Sequence, residues 1–136
     1  MVREIIHDPI ILGKASQAST ADDLQTGYDL LDTLKANRKI CVGMAANMIG
    51  ISKRIIVFDD NGKYFLMFNP EIIAKSGAYE TEEGCLSLEG TRKTVRYKKI
   101  KVRYQNEKMQ TRMQSFDGFT AQIIQHETDH CNGIII

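Results

Sequence analysis

The segment that most constrains the fold is Gln125-His126-Glu127-Thr128-Asp129-His130, near the end of a 136-residue chain. Its two histidines are four apart, a spacing that on a helix projects both imidazoles from one face, where they can grip one metal ion. Glu127 follows the first histidine and sits about 100° around the helix axis, within reach of a metal-bound water without being a ligand. The plain alternative is a polar helix face carrying two solvated histidines. A catalytic metal generally takes three protein ligands and leaves a fourth position to water, so a third donor must come from elsewhere in the fold.

One other histidine exists, His7, in the N-terminal arm. Cys85, in Glu83-Gly84-Cys85-Leu86-Ser87, is the better candidate, because a thiolate is a strong ligand and the preceding glycine lets the backbone approach closely. Spacing alone leaves an inert core thiol equally open for Cys85. The remaining cysteines, Cys41 and Cys131, make the count odd, which points away from a disulfide framework and fits a reducing compartment. Both read most simply as small apolar fillers.

The chain is one domain's worth of material, predicted to be a single domain over residues 1–136. Lys and Arg number 18 against 17 Asp and Glu, so no bulk charge draws it to nucleic acid or an anionic membrane. Apolar runs fall short of a membrane span, and charges break up the N-terminus, so a cytoplasmic location is expected.

Thr20 reads as an N-cap followed by Asp22 and Asp23, opening an amphipathic helix over roughly Ala21 to Asn37 with Leu24, Tyr28, Leu31 and Leu34 at helical spacing. Lys39 to Gly50 is small and apolar with two glycines, which suits a backbone packed close to another element or a ligand. Strands are predicted at Arg54 to Phe58 and Tyr64 to Phe68 around Asp60-Asn61-Gly62, a strong hairpin signal. Further strands follow at Glu71 to Ala74, Lys99 to Tyr104 and Thr111 to Phe116. Asp117-Gly118 then breaks the chain before a helix over about Thr120 to Cys131. That order predicts an α+β domain: antiparallel strands around a central C-terminal helix, with an amphipathic helix before them.

Three segments, Cys41 to Gly50, Glu83 to Ser87 and Gln125 to His130, are similar in order and spacing to the three motifs of peptide deformylases. Those motifs read Gly-x-Gly-Φ-Ala-Ala-x-Gln, Glu-Gly-Cys-Leu-Ser and Gln-His-Glu-x-Asp-His, and the second and third are matched completely. The resemblance implies removal of the formyl group from formyl-methionyl peptides or nascent chains. It implies that Cys85, His126 and His130 hold one divalent ion, Fe(II) by expectation with Zn or Ni able to substitute. Glu127 would be the general acid/base acting on the metal-bound water, and the Leu86 backbone N–H an oxyanion donor. Substrate contacts would come from Val42, Gly43, Gly84, Arg92, Phe119 and Ile123.

The chain departs from the family in places. Met48 stands where the first motif ends in Gln, and a thioether donates no hydrogen bond. Losing an oxyanion donor typically costs about 10²–10³ in turnover. Asn47, beside it, carries an amide whose direction is open at this point. Cys41 replaces the first Gly, and Gln122 sits where an apolar residue is usual in the methionine pocket. Glu83 reads as a buried partner for an arginine, and Asp129 as a structural neighbour rather than a ligand. The Met48 departure keeps two alternatives to a working deformylase: a metal-binding homologue of weak or no activity, acting as a binding or decoy protein, and a hydrolase of a different small acyl amide.

Overall fold

The computed structural model describes residues 1–136. A short helix α1 (Pro9–Leu12) is capped by Asp8, whose side chain accepts from the Ile10 N–H. A 3₁₀ turn over Ala21–Asp23 leads into α2 (Leu24–Ala36). Thr20 caps the turn as predicted, and Asp23 reaches back to the Thr20 N–H at 2.8 Å, so two otherwise orphaned donors are satisfied.

Five antiparallel strands then run in sequential order: β1 (Gly43–Ala45), β2 (Ile55–Asp60), β3 (Lys63–Cys85), β4 (Leu88–Gln105) and β5 (Thr111–Asp117). Helix α3 (Gly118–Cys131) closes the fold. The α+β class holds. No helix is long and apolar enough to cross a membrane.

Period-two alternation on β2 decides where the two helices go. Ile55 and Val57 point to one side with Leu30, Leu34, Met44 and Phe68, beneath α2. Ile56 and Phe58 point to the other with Met67, Val102, Phe116 and Ile124, against α3. A strand covered on both faces reads as a continuous apolar run, as Ile55 to Phe58 does.

Two details differ from the sequence reading. The buried residues of α2 are Gly27, Asp29, Leu30, Thr33 and Leu34, with Leu24 and Leu31 packed at the edge of the core as expected, while Tyr28 lies at the surface. Gly27 sets this face: a Cβ there would lie 2.7 Å from Phe68 Cζ, so the helix lies against the Phe68 ring along its glycine. The strand expected at Glu71 to Ala74 is not separate either. It continues the hairpin strand through irregularities between Phe68 and Ala74, where Asn69 takes a positive φ of 52°. Asn69 anchors the bend by accepting from Ser19 N at 2.7 Å and donating to Gln105 Oε1 at 2.6 Å. Beyond it β3 leaves β2 and pairs with β4 as a long ribbon whose tip carries Cys85.

Candidate metal centre and active site

The ribbon and α3 converge on one point. Cys85 closes β3 opposite Leu88, with Leu86 and Ser87 in the turn, and the register slips between Gly84 and Cys85. The Ser87 N–H donates to Cys85 Sγ at 3.4 Å. His7 donates from Nδ1 to the Ser87 carbonyl at 2.9 Å, so the third histidine braces this turn from the N-terminal arm.

Donor atoms of Cys85, His126 and His130 all lie within 4.8 Å of one another. The two Nε2 atoms are 3.1 Å apart. Two imidazoles on one tetrahedral ion at usual bond lengths place their nitrogens about 3.3 Å apart, so the spacing fits a single divalent cation. One thiolate with two imidazoles is also a donor set suited to zinc or iron. Burial opposes charge on His126, but Glu127, Cys85 and Glu83 outweigh it and hold that ring up to about 10. Burial, then the charge on His126, drives His130 down to about 3. The two nitrogens face each other at the point where a cation would be held.

His126 is aimed by a buried network. Its Nδ1 donates to Glu83 Oε1 at 2.8 Å, which leaves Nε2 free as a ligand. Glu83 also accepts from Arg96 Nε and Nη2, the latter at 2.7 Å, and from Gln122 Nε2 at 2.9 Å. Burial alone would raise the Glu83 carboxyl, yet the bonds from His126, Arg96 and Gln122 bring it down to about 2. Arg96, only 4% exposed, extends its other nitrogen to Asp129 at 2.6 Å. Asp129 is thus tied to Arg96, in agreement with its structural reading, and Glu83 has the buried arginine expected of it.

Arg96 itself was not apparent in the sequence. The residue opposite Glu83 in the ladder is Arg92, and Arg96 reaches Glu83 from four positions further along β4. Gln125 shows a related long-range role. Its amide accepts from Tyr97 N and donates to Tyr97 O, both at 2.9 Å, so one side chain bonds the β4 edge as a strand would, beyond where β5 ends.

Glu127 is 4% exposed, and its Oε1 is buried without a partner. Burial raises its pKa to about 7, which poises it to take and return a proton near neutrality. Gly43 makes room for it: a Cβ there would stand 2.9 Å from Glu127 Oε2 and 2.7 Å from Ile123 Cγ2. The two-glycine segment does pack against another element, and that element is α3.

A cleft of about 280 Å³ opens beside these groups. Val42, Gly43, Gly84, Phe119 and Ile123 all line it, as do Met48 and Leu86. Arg92 stands outside its wall, half-buried on β4, with Nη1 buried and unpartnered. Cys41, half-buried, packs against the α2-side core and also borders the cleft, and its thiol donates to the Gly43 carbonyl at 2.9 Å. Burial pushes that thiol up to about 12, so it stays protonated. Cys131 is a buried filler. Met48 Sδ accepts from the Ala45 N–H at 3.5 Å. Asn47 donates to the His130 carbonyl at 2.9 Å, so its amide ties down the end of α3 and is not directed at the cleft. A wider groove of about 840 Å³ along Asp60, Lys101 and Phe116 contains none of these donors.

Residues 3–136 match the polypeptide deformylase family. The chain belongs to that family. It is 52% identical to a peptide deformylase of Clostridium beijerinckii, with both chains covered completely. Among solved structures, the class I type b peptide deformylase of Acinetobacter baumannii bound to actinonin superposes with a TM-score of 0.88 at 32% identity, covering 99% of this chain and 95% of that one. The same enzyme bound to Met-Ala-Ser gives 0.87 at 32% identity, with 99% and 97% covered. As a deformylase-family chain it carries the second and third motifs on one short ribbon tip and one helix, and the two meet across the cleft.

Proposed function

We propose that this chain hydrolyses the formyl amide of N-formyl-methionyl peptides and releases formate. The observation that carries the reading is the unpartnered, buried Glu127 carboxyl beside Cys85, His126 and His130. A closed structural metal site would have four protein ligands and no use for that carboxyl. Family membership and the Met-Ala-Ser bound to the Acinetobacter enzyme support the same substrate class.

Cys85, His126 and His130 would hold the ion, and Fe(II), Zn and Ni are each compatible with that donor set. A divalent cation there supplies Lewis acidity, which brings the pKa of water toward 7 and polarises a carbonyl oxygen. Glu127 takes the proton of the attacking water and delivers it to the departing amine, so one carboxyl serves as base and then acid. The Leu86 backbone N–H donates to the oxyanion that forms on the formyl oxygen. Val42, Phe119 and Ile123 receive the methionine side chain, and the backbone at Gly43 and Gly84 borders the peptide. Arg92, outside the wall, meets the peptide's carboxyl end. Glu83, fixed by Arg96, keeps His126 in its ligating tautomer.

Met48 favours a second reading, a metal-retaining homologue of little activity, because the thioether offers no second oxyanion donor. The two readings separate on formate release from formyl-Met-Ala-Ser by metal-loaded protein, with Glu127→Ala as control. Release well above the control supports the hydrolase. Release no greater than the control, with one ion bound per chain, supports the inactive homologue.

A further inference from the structure

We propose that Gln122 makes the side-chain pocket partly polar, so that this chain also accepts N-formyl peptides whose first side chain ends in a strong hydrogen-bond acceptor. Methionine sulfoxide is the nearest such relative of methionine. The proposal rests on the deformylase reading of the site.

Phe119, Gln122, Ile123 and His126 share the face of α3 that borders the cleft, at helical spacing. Three of the four present apolar or ring surface. Gln122 presents an amide, half-buried and fixed at both ends: Nε2 donates to Glu83 Oε2 at 2.9 Å, and Oε1 accepts from Tyr79 Oη at 3.3 Å. Flipping the amide would set its oxygen against the Glu83 carboxylate, which Arg96 and His126 hold ionised. The orientation is therefore decided, and one N–H of Nε2 and one lone pair of Oε1 stand outside these two bonds, on a side chain that lines the cleft.

A thioether is a weak acceptor, so a methionine side chain filling this cleft covers that N–H without satisfying it. A sulfoxide oxygen satisfies it. Val42, Phe119 and Ile123 still supply the apolar contact that the rest of the side chain needs. The chemistry is unchanged; only the side chain admitted beside the reacting amide differs. Sites built to hydrogen-bond a ligand discriminate strongly through that bond, whereas apolar pockets do not.

The test compares kcat/KM for formyl-Met-Ala-Ser and formyl-Met-sulfoxide-Ala-Ser in the wild type, Gln122→Met and Gln122→Leu. The wild type should favour the thioether peptide by no more than roughly tenfold, and each variant should widen that ratio by roughly tenfold or more, through loss on the sulfoxide peptide. A role exerted only through Glu83 and His126 lowers both peptides alike, and an unmoved ratio overturns the proposal. If the Gln122 variants do not fold, Tyr79→Phe keeps the amide but releases its outer anchor, and should widen the ratio by about threefold. If the wild type hydrolyses neither peptide, the deformylase reading fails separately. Calorimetric affinities for Met-Ala-Ser and its sulfoxide then test Gln122 directly, with equal ratios in wild type and variant counting against it.

Discussion

Replacing Arg96 by methionine keeps the volume of a buried side chain and removes its charge. Glu83 and Asp129 both lose their cationic partner, but Asp129 is a quarter exposed and can turn to water, whereas Glu83, at 7% exposure on the cleft wall, has little water to turn to. The Glu83 carboxyl sits at about 2 against an ordinary value of 4.5. At about 1.4 kcal/mol per pH unit, His126, Arg96 and Gln122 together stabilise the fold by about 3 kcal/mol through this carboxyl, nearer 2 once solvent screening at the cleft is allowed for, and Arg96 supplies only part of that. Stranding a buried carboxylate adds to the loss, as breaking a buried pair typically costs about 3–5 kcal/mol. A destabilisation of about 3 kcal/mol at pH 7 is therefore expected, a fall in Tm of roughly 10 °C.

The pH dependence carries the sign. A carboxyl whose folded pKa is depressed contributes its full stability above its unfolded value and loses it as pH falls through the folded one. The gap between wild type and Arg96→Met should accordingly be widest above pH 4.5 and shrink toward pH 2. Urea titrations at pH 7 and pH 2.5, both in chelator so that release of an ion does not enter, give the two numbers. A loss below about 1 kcal/mol at pH 7, or a gap that does not narrow in acid, would refute the argument that Arg96 acts by holding Glu83 ionised.

Glu127→Gln should leave folding and bound metal intact and cut formate release by about 10²–10⁴, measured at saturating peptide; retained turnover would remove Glu127 from the chemistry. Met48→Gln should raise turnover by about tenfold or more if the missing donor limits the rate; an unchanged rate would mean that water or another group already serves the oxyanion. Gly43→Ala drives a methyl into Ile123 and Glu127, so it should cost about 1–3 kcal/mol in a thermal or urea melt. It should also lower kcat by about 100-fold, because a carboxyl displaced by an ångström is no longer aligned; normal kcat in a folded variant would show that the carboxyl has room to move.

The parts of this protein written locally in its sequence are those governed by short-range periodicity. The four-residue spacing of His126 and His130 fixes them on one helical face wherever that helix packs. Asn61-Gly62 sets the first hairpin, since both residues take positive φ in the turn, at 51° and 93°. Thr20 and Asp23 cap the start of the first long helical segment through contacts three residues long. Tertiary structure decided everything that depends on which distant residues meet. A bend at Asn69 turned two expected strands into one and swung Cys85 to a ribbon tip facing α3. Ladder register put Arg92 opposite Glu83, yet packing gave Glu83 to Arg96 instead. Leucine spacing marked most of the buried side of α2, with Leu30 and Leu34 in the core and Leu24 and Leu31 at its edge, but the close approach of Gly27 to Phe68 left Tyr28 at the surface. Asn47, whose amide had two possible directions in the sequence, was drawn to the His130 carbonyl because a buried donor must find an acceptor.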